Sequence, residues 1–238
     1  MPAMPSAPQV FPSDGEKMLR YKCLVLDHDD TVVQTEKAIG FPYFRDYIEK
    51  IRPGQTLTFP EYVKDCNNMI FADMCRIRWQ MTDEEQREEY LGWKEYSRKN
   101  TPPLCPDMDA VIRRQKEEGG LICVASLSTR EIIERDFTHH FGFLPDAVYD
   151  YDLPPHQRKP SSYALEAIMA QFHLKPEELL MVDDMKPGYT MAKAAGVPTA
   201  FAGWSKAEFP ELTEEMRSLC DYSFASAREL EAFLFEEK

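Results

Sequence analysis

Two clusters of aspartate carry the chemistry available to this sequence. The first lies in the run DHDDT, where Asp27, Asp29 and Thr31 follow directly on the apolar residues 24–26. Two carboxylates so close together can divide labour. One attacks phosphorus and forms an aspartyl-phosphate, while the other protonates the leaving oxygen and then activates water. An acidic strand end also suits a metal site or a solvated turn. The second cluster, Asp183 and Asp184, ends another apolar run. Two acidic pairs suggest one hard cation: Mg2+ keeps several waters, so Asp27, Asp184 and a carbonyl near Asp29 suffice, with Asp183 either beside them or capping the next helix. Ser126 follows a further apolar run and could offer its hydroxyl to a phosphoryl oxygen near the amides of a helix start, or simply cap that helix. Lys159, before Pro160, could balance carboxylate and phosphate charge, although a lone lysine is more often solvated.

The elements that must position these residues can be read from periodicity. Apolar runs at 23–26, 121–125, 148–149, 179–182 and 199–202 alternate with helical patterns, which predicts a parallel α/β sheet. In open sheets of this kind ligands bind beyond the carboxyl ends of the strands, so the polar residues behind each run should converge. Ser128 with Glu131, Ser226 with Glu229 and Thr82 with Glu85 have capping-box spacing, and Gly119–Gly120 should end a helix that starts near Asp107. Residues 34–100 lack a clear strand but place Phe41, Phe44, Ile48 and Ile51 at helical spacing. They read as a helical insertion between the first two strands. The domain expectation is a tail over 1–20, a core over 21–33 and 101–238, and an inserted helical module over 34–100.

Taken in order, DHDDT, VAS, RKP and VDD resemble the four motifs of the haloacid dehalogenase (HAD) superfamily, and MAKAAGVPT resembles the segment after the fourth motif. The resemblance implies a doubly wound, Rossmann-like core with a helical cap, as in phosphoglycolate phosphatases and β-phosphoglucomutases. It further implies Asp27 as nucleophile, Asp29 as general acid/base, and Ser126 and Lys159 as the ligands of the second and third motifs. Thr31 and Leu127 would join Ser126 and Lys159 around the substrate, and Asp27, Asp29, Asp183 and Asp184 would gather around Mg2+. Arg76 and Arg78 stand near the family's specificity segment, where either could clamp a second anionic group; the alternative is a pair of exposed helix arginines. Asp30 stands where the family usually has glycine, and Gln34 where it has an acid. Asp29 favours phosphoryl transfer, because haloacid dehalogenases lack that aspartate. Phosphomutases carry a histidine near the cap entrance, where this chain has Ile39 and Gly40, so hydrolysis is expected. A phosphomutase and a non-catalytic phosphate-binding module are the alternatives.

Composition bounds the partners. A formal charge of −13 over 238 residues opposes a large nucleic-acid footprint, because phosphate backbones are bound by clustered Lys and Arg. The six cysteines show no paired spacing for zinc or a redox couple, which suits free thiols in a reducing cytoplasm. The first residues have neither a basic stretch nor an apolar core of a signal peptide, and no run is long enough to span a bilayer. The expectation is a cytoplasmic monomer or homodimer acting on a small phosphorylated metabolite, with no nucleic-acid or membrane partner.

Overall fold

The computed structural model describes residues 19–236, so nearly all of the expected tail over 1–20 lies outside the described residues. Six parallel strands form one sheet in the order β3-β2-β1-β4-β5-β6. They are β1 (Cys23–Leu26), β2 (Leu121–Ala125), β3 (Ala147–Tyr149), β4 (Leu179–Asp183), β5 (Thr199–Ala202) and β6 (Tyr222–Phe224). The continuous apolar runs have their physical reason here, since a parallel strand covered on both faces needs no polar alternation. Leu24, Leu26, Ile122, Val124, Leu180 and Val182 point to one face. There they meet α5 (Met108–Glu117), α6 (Arg130–Phe141) and α10 (Ala227–Phe235). Cys23, Val25, Cys123 and Met181 point to the other, against α7 (Tyr163–Phe172) and α8 (Lys186–Ala195). Each fully buried aliphatic side chain contributes roughly 1.5–3 kcal/mol of transfer free energy.

The chain winds outward from β1 through β2 to β3 and then returns to the far side of β1 as β4. That reversal between β1 and β4 opens a crevice at their carboxyl ends, which is where the two aspartate clusters stand.

Between β1 and β2 the chain forms a short π-helical turn (Glu36–Gly40) and four helices. These are α1 (Phe41–Ile51), α2 (Phe59–Asn68), α3 (Phe71–Ile77) and α4 (Asp83–Lys99). The stripe read from the sequence is the buried face: Phe44 and Ile48 pack with Val63, Met74 and Trp79, and this cluster continues into Met185 and Phe201 of the α/β layer. The outgoing and returning connections are stitched together. Gln34 donates its backbone N–H to the Pro103 carbonyl and its side-chain amide to the Leu104 carbonyl, at 2.8 and 2.7 Å. The residue standing in place of an acid is thus a tie across the two connections.

Thr82 and Glu85 close a full capping box at the start of α4. Ser226 accepts from the Glu229 N–H, but the Glu229 carboxylate takes the Ala225 N–H instead of completing the box. Ser128 does not cap α6. Thr129 precedes that helix without a side-chain cap, and Glu131 binds Arg98 of α4 in an ion pair between the insertion and α6. Strand β6 has no apolar run of its own, being a three-residue, partly exposed edge strand. After β5 the chain forms α9 (Pro210–Leu219) before reaching it.

Candidate active site

Asp27 immediately follows β1, and its N–H donates to the Val182 carbonyl at 2.9 Å, tying the tip of β1 to β4. Asp183 is the last residue of β4, and Asp184 follows it. Lys159 joins the two tips: its Nζ donates to Asp27 Oδ1 at 2.7 Å and pairs with Asp183. Burial opposes the ammonium charge, yet the Asp183 and Asp27 carboxylates outweigh it and hold Lys159 above its ordinary value. For Asp183 burial prevails, and its carboxyl is pushed up. Asp183 Oδ1 also accepts the Met185 N–H at 2.8 Å. Its other oxygen lies against Gly188 of α8, where a Cβ would come within 1.9 Å of Oδ2. Only glycine fits there.

One oxygen each from Asp27, Asp183 and Asp184 can be chosen so that all lie within 4.8 Å of one another, and all three residues are buried. Such a donor set, carboxylate oxygens without sulfur or imidazole, fits a hard cation. Asp29 stands just outside this group. Burial raises its carboxyl to about 6, with Asp27 adding repulsion and His28 opposing both. His28 itself is fully buried and donates from Nε2 to Asp136 Oδ2 of α6 at 3.0 Å, which fixes the loop from below.

Asp30 adopts a left-handed backbone, φ 58°, which aspartate tolerates better than most residues. Its carboxylate accepts the Glu36 N–H at 3.0 Å through one oxygen and the Lys206 ammonium at 3.0 Å through the other. Lys206 is completely buried and binds Asp184 at 2.7 Å and Glu36 at 3.0 Å as well. The departure from glycine is therefore one of three carboxylates around a buried ammonium, with Glu36 and Asp184 the other two. Sequence reasoning missed Lys206, because nothing about a lysine after β5 announces that its ammonium turns inward.

Ser126 follows β2, and its Oγ accepts the Ser128 N–H at 3.1 Å. Ser126 and Leu127 join Asp27, Asp29, Lys159, Asp183 and Asp184 in lining a cavity of about 480 Å³ between the sheet and the insertion. Thr31 lies outside that lining, its buried hydroxyl unpartnered, while its carbonyl accepts from the Trp204 indole at 3.2 Å. Arg76 and Arg78 also lie outside the lining. Arg76 is exposed and pairs with Asp73; Arg78 pairs with Asp65 and Glu61 and covers Trp79. Acid partners on the insertion's own surface hold both, which corrects the reading of them as anion clamps. The cations that do reach the cavity are Arg135, Arg158 and Lys159.

The model of the haloacid dehalogenase-like hydrolase family matches residues 21–196, most of the chain and all of these site residues except Lys206. The chain belongs to this family. No curated protein matches this HAD hydrolase in sequence. Solved structures match it over 88–91% of its length. CbbY from Rhodobacter sphaeroides, in complex with xylulose-(1,5)bisphosphate, is 17% identical with a TM-score of 0.69, over 88% of this chain and 96% of that one. A haloacid dehalogenase-like protein from Agrobacterium tumefaciens is 14% identical at a TM-score of 0.72, over 90% and 97%. A protein predicted to be a phosphoglycolate phosphatase, from Haemophilus somnus, is 15% identical at 0.70, over 90% and 98%. At such identities the likeness establishes the fold of this HAD hydrolase. Its six cysteines are free, and among the described residues no helix is long and apolar enough to cross a membrane.

Proposed function

We propose that this hydrolase is a magnesium-dependent phosphatase that cleaves a small phosphorylated metabolite through an aspartyl-phosphate on Asp27. The observation that carries the reading is the meeting of Asp27 with Lys159, Asp183 and Asp184 at the β1–β4 crevice, with a second carboxyl, Asp29, lifted to about 6 beside them. Asp27, Asp183 and Asp184 would hold Mg2+, which supplies positive charge against the phosphoryl oxygens. The Asp29 side chain is outside that carboxylate group, which leaves it free for proton transfer.

On this reading Asp27 attacks phosphorus in line. Asp29, raised toward neutrality, delivers a proton to the leaving alcohol and afterwards takes one from the attacking water. Lys159 and Ser126 bind phosphoryl oxygens, with Leu127 beside them at the wall. The insertion acts as the cap, covering the site and keeping bulk water from the acyl-phosphate. Among the described residues no histidine lines the cavity, and Ile39 and Gly40 are part of its wall, which favours hydrolysis over mutase chemistry. One structural neighbour is in complex with xylulose-(1,5)bisphosphate and another is predicted to be a phosphoglycolate phosphatase, which supports a small phosphate ester as substrate.

Phosphate release from an aryl phosphate and a metabolite panel, with and without Mg2+, tests this proposal. Turnover that requires Mg2+ is expected. Absence of turnover on every ester would favour a non-catalytic phosphate-binding module.

A further inference from the structure

The cavity wall beyond the reacting centre has a character of its own. The insertion contributes the apolar surfaces of Ile39, Tyr62, Met69, Phe71 and Trp93. Its charged contributions are Glu36, Asp73 and Glu89, all acidic. Lys206 engages Glu36, and Arg76 engages Asp73. Glu89 is different. It is only 5% exposed, lines the cavity from α4, and receives no hydrogen bond or ion pair on its carboxyl from any described residue. Burial alone raises it to about 8. A buried carboxyl without a partner costs free energy that a bound donor would recover.

We infer that the substrate is a phosphate monoester whose alcohol portion has an apolar, typically aromatic, body and carries a hydrogen-bond donor, best a protonated amine, that binds Glu89. This inference rests on the phosphatase reading for its phosphate end and on the cavity wall for the rest. A leaving group with a second phosphate or a carboxylate would meet acid from the insertion, with no cation there to receive it. The opposing consideration is in the α/β layer. Arg135 is engaged by Asp136 and by the Ser97 carbonyl, but Arg158, which donates to the Leu153 carbonyl and stacks 4.2 Å from the Tyr151 ring, has no carboxylate partner among the described residues. A second anion would bind there.

Three aryl esters of similar size separate the alternatives: O-phosphotyramine, 4-ethylphenyl phosphate and 4-(phosphonooxy)phenylacetate, ending in an amine, a methyl group and a carboxylate. With Mg2+ present, kcat/KM should fall in that order, and the amine should exceed the carboxylate by at least about tenfold, the worth of one charge-assisted hydrogen bond. Glu89→Gln should shrink that ratio by about tenfold, mainly through KM. Titration calorimetry of the same esters into the Asp27→Asn protein reads the preference without turnover. If no ester is hydrolysed but the binding order holds, the phosphatase reading fails and the inference stands. If esters are hydrolysed with the carboxylate preferred, and Arg158→Met removes that preference, the inference is overturned. It is also overturned if Glu89→Gln leaves the ratio unchanged, or if none of the esters binds.

Discussion

Lys206 carries three carboxylates at once, and its replacement shows what a buried cation holds together. In Lys206→Met the Asp30, Glu36 and Asp184 groups lose their counter-charge inside the protein. Breaking a buried pair costs about 3–5 kcal/mol, and urea unfolding at pH 7.5 should show a loss of that order. Glu36 and Asp184 already sit raised by burial, to about 8 and about 6, and without Lys206 they rise further, so the variant takes up protons above those values and the loss should shrink as pH falls toward 6. A pH-independent loss would mean that packing, not charge, is what Lys206 supplies. Gly188 gives a sharper probe of geometry. Gly188→Ala drives a Cβ against Asp183, and displacing a site group by an ångström costs about 10²-fold in rate. The expected result is that loss with unchanged circular dichroism; full activity would show that Asp183 need not stay where Lys159 holds it.

At the scale of elements, α4 both closes the insertion and presents Glu89 to the cavity. The Glu89 carboxyl binds its proton up to about pH 8 in the folded chain but only to its ordinary value near 4.5 when unfolded. Between those values the native state holds the proton and the unfolded state does not. Stability therefore falls as pH rises through this window, by up to about 1.4 kcal/mol per unit. Glu89→Gln should remove that slope, so the variant gains on wild type from pH 5 to 8; parallel stability curves would contradict the assignment. Glu89 also marks what the sequence leaves unsaid. Asp27, Ser126 and the Asp183–Asp184 pair were legible because each ends an uninterrupted apolar strand, and a parallel sheet delivers strand ends to one edge. Lys159 was legible only through the order of motifs. Glu89 looks like one more acid in the run DEEQREE, and its burial is decided by α1 and the π-helical turn packing on α4, which no local pattern encodes. Arg76 and Arg78 failed as cavity residues for the converse reason, since the rotation of α3 is set by Met74 and Cys75 turning inward.

The whole molecule carries a formal charge of −13, which repels a phosphate dianion at long range. On the proposed function, capture comes from short-range groups: Lys159, a cation held by Asp27, Asp183 and Asp184, and the amides near Ser126. Salt screens the long-range repulsion more than the buried contacts. Raising ionic strength from about 0.01 to about 0.15 M should thus increase kcat/KM modestly, and a steep decrease would point to a steering surface. The fold is consistent with this division. The sheet and its helices fix Asp27, Lys159, Asp183 and Asp184, and the insertion supplies the cavity wall to which the substrate preference is assigned by proposal.

On the proposed mechanism Asp27 becomes phosphorylated. Rapid acid quenching of the enzyme during turnover with Mg2+, followed by peptide mass mapping, tests it directly. A phosphoryl group on the peptide containing Asp27, lost on mild base and absent from the Asp27→Asn protein, is the predicted result. Turnover by Asp27→Asn, or a phosphoryl group carried on another residue, would contradict it.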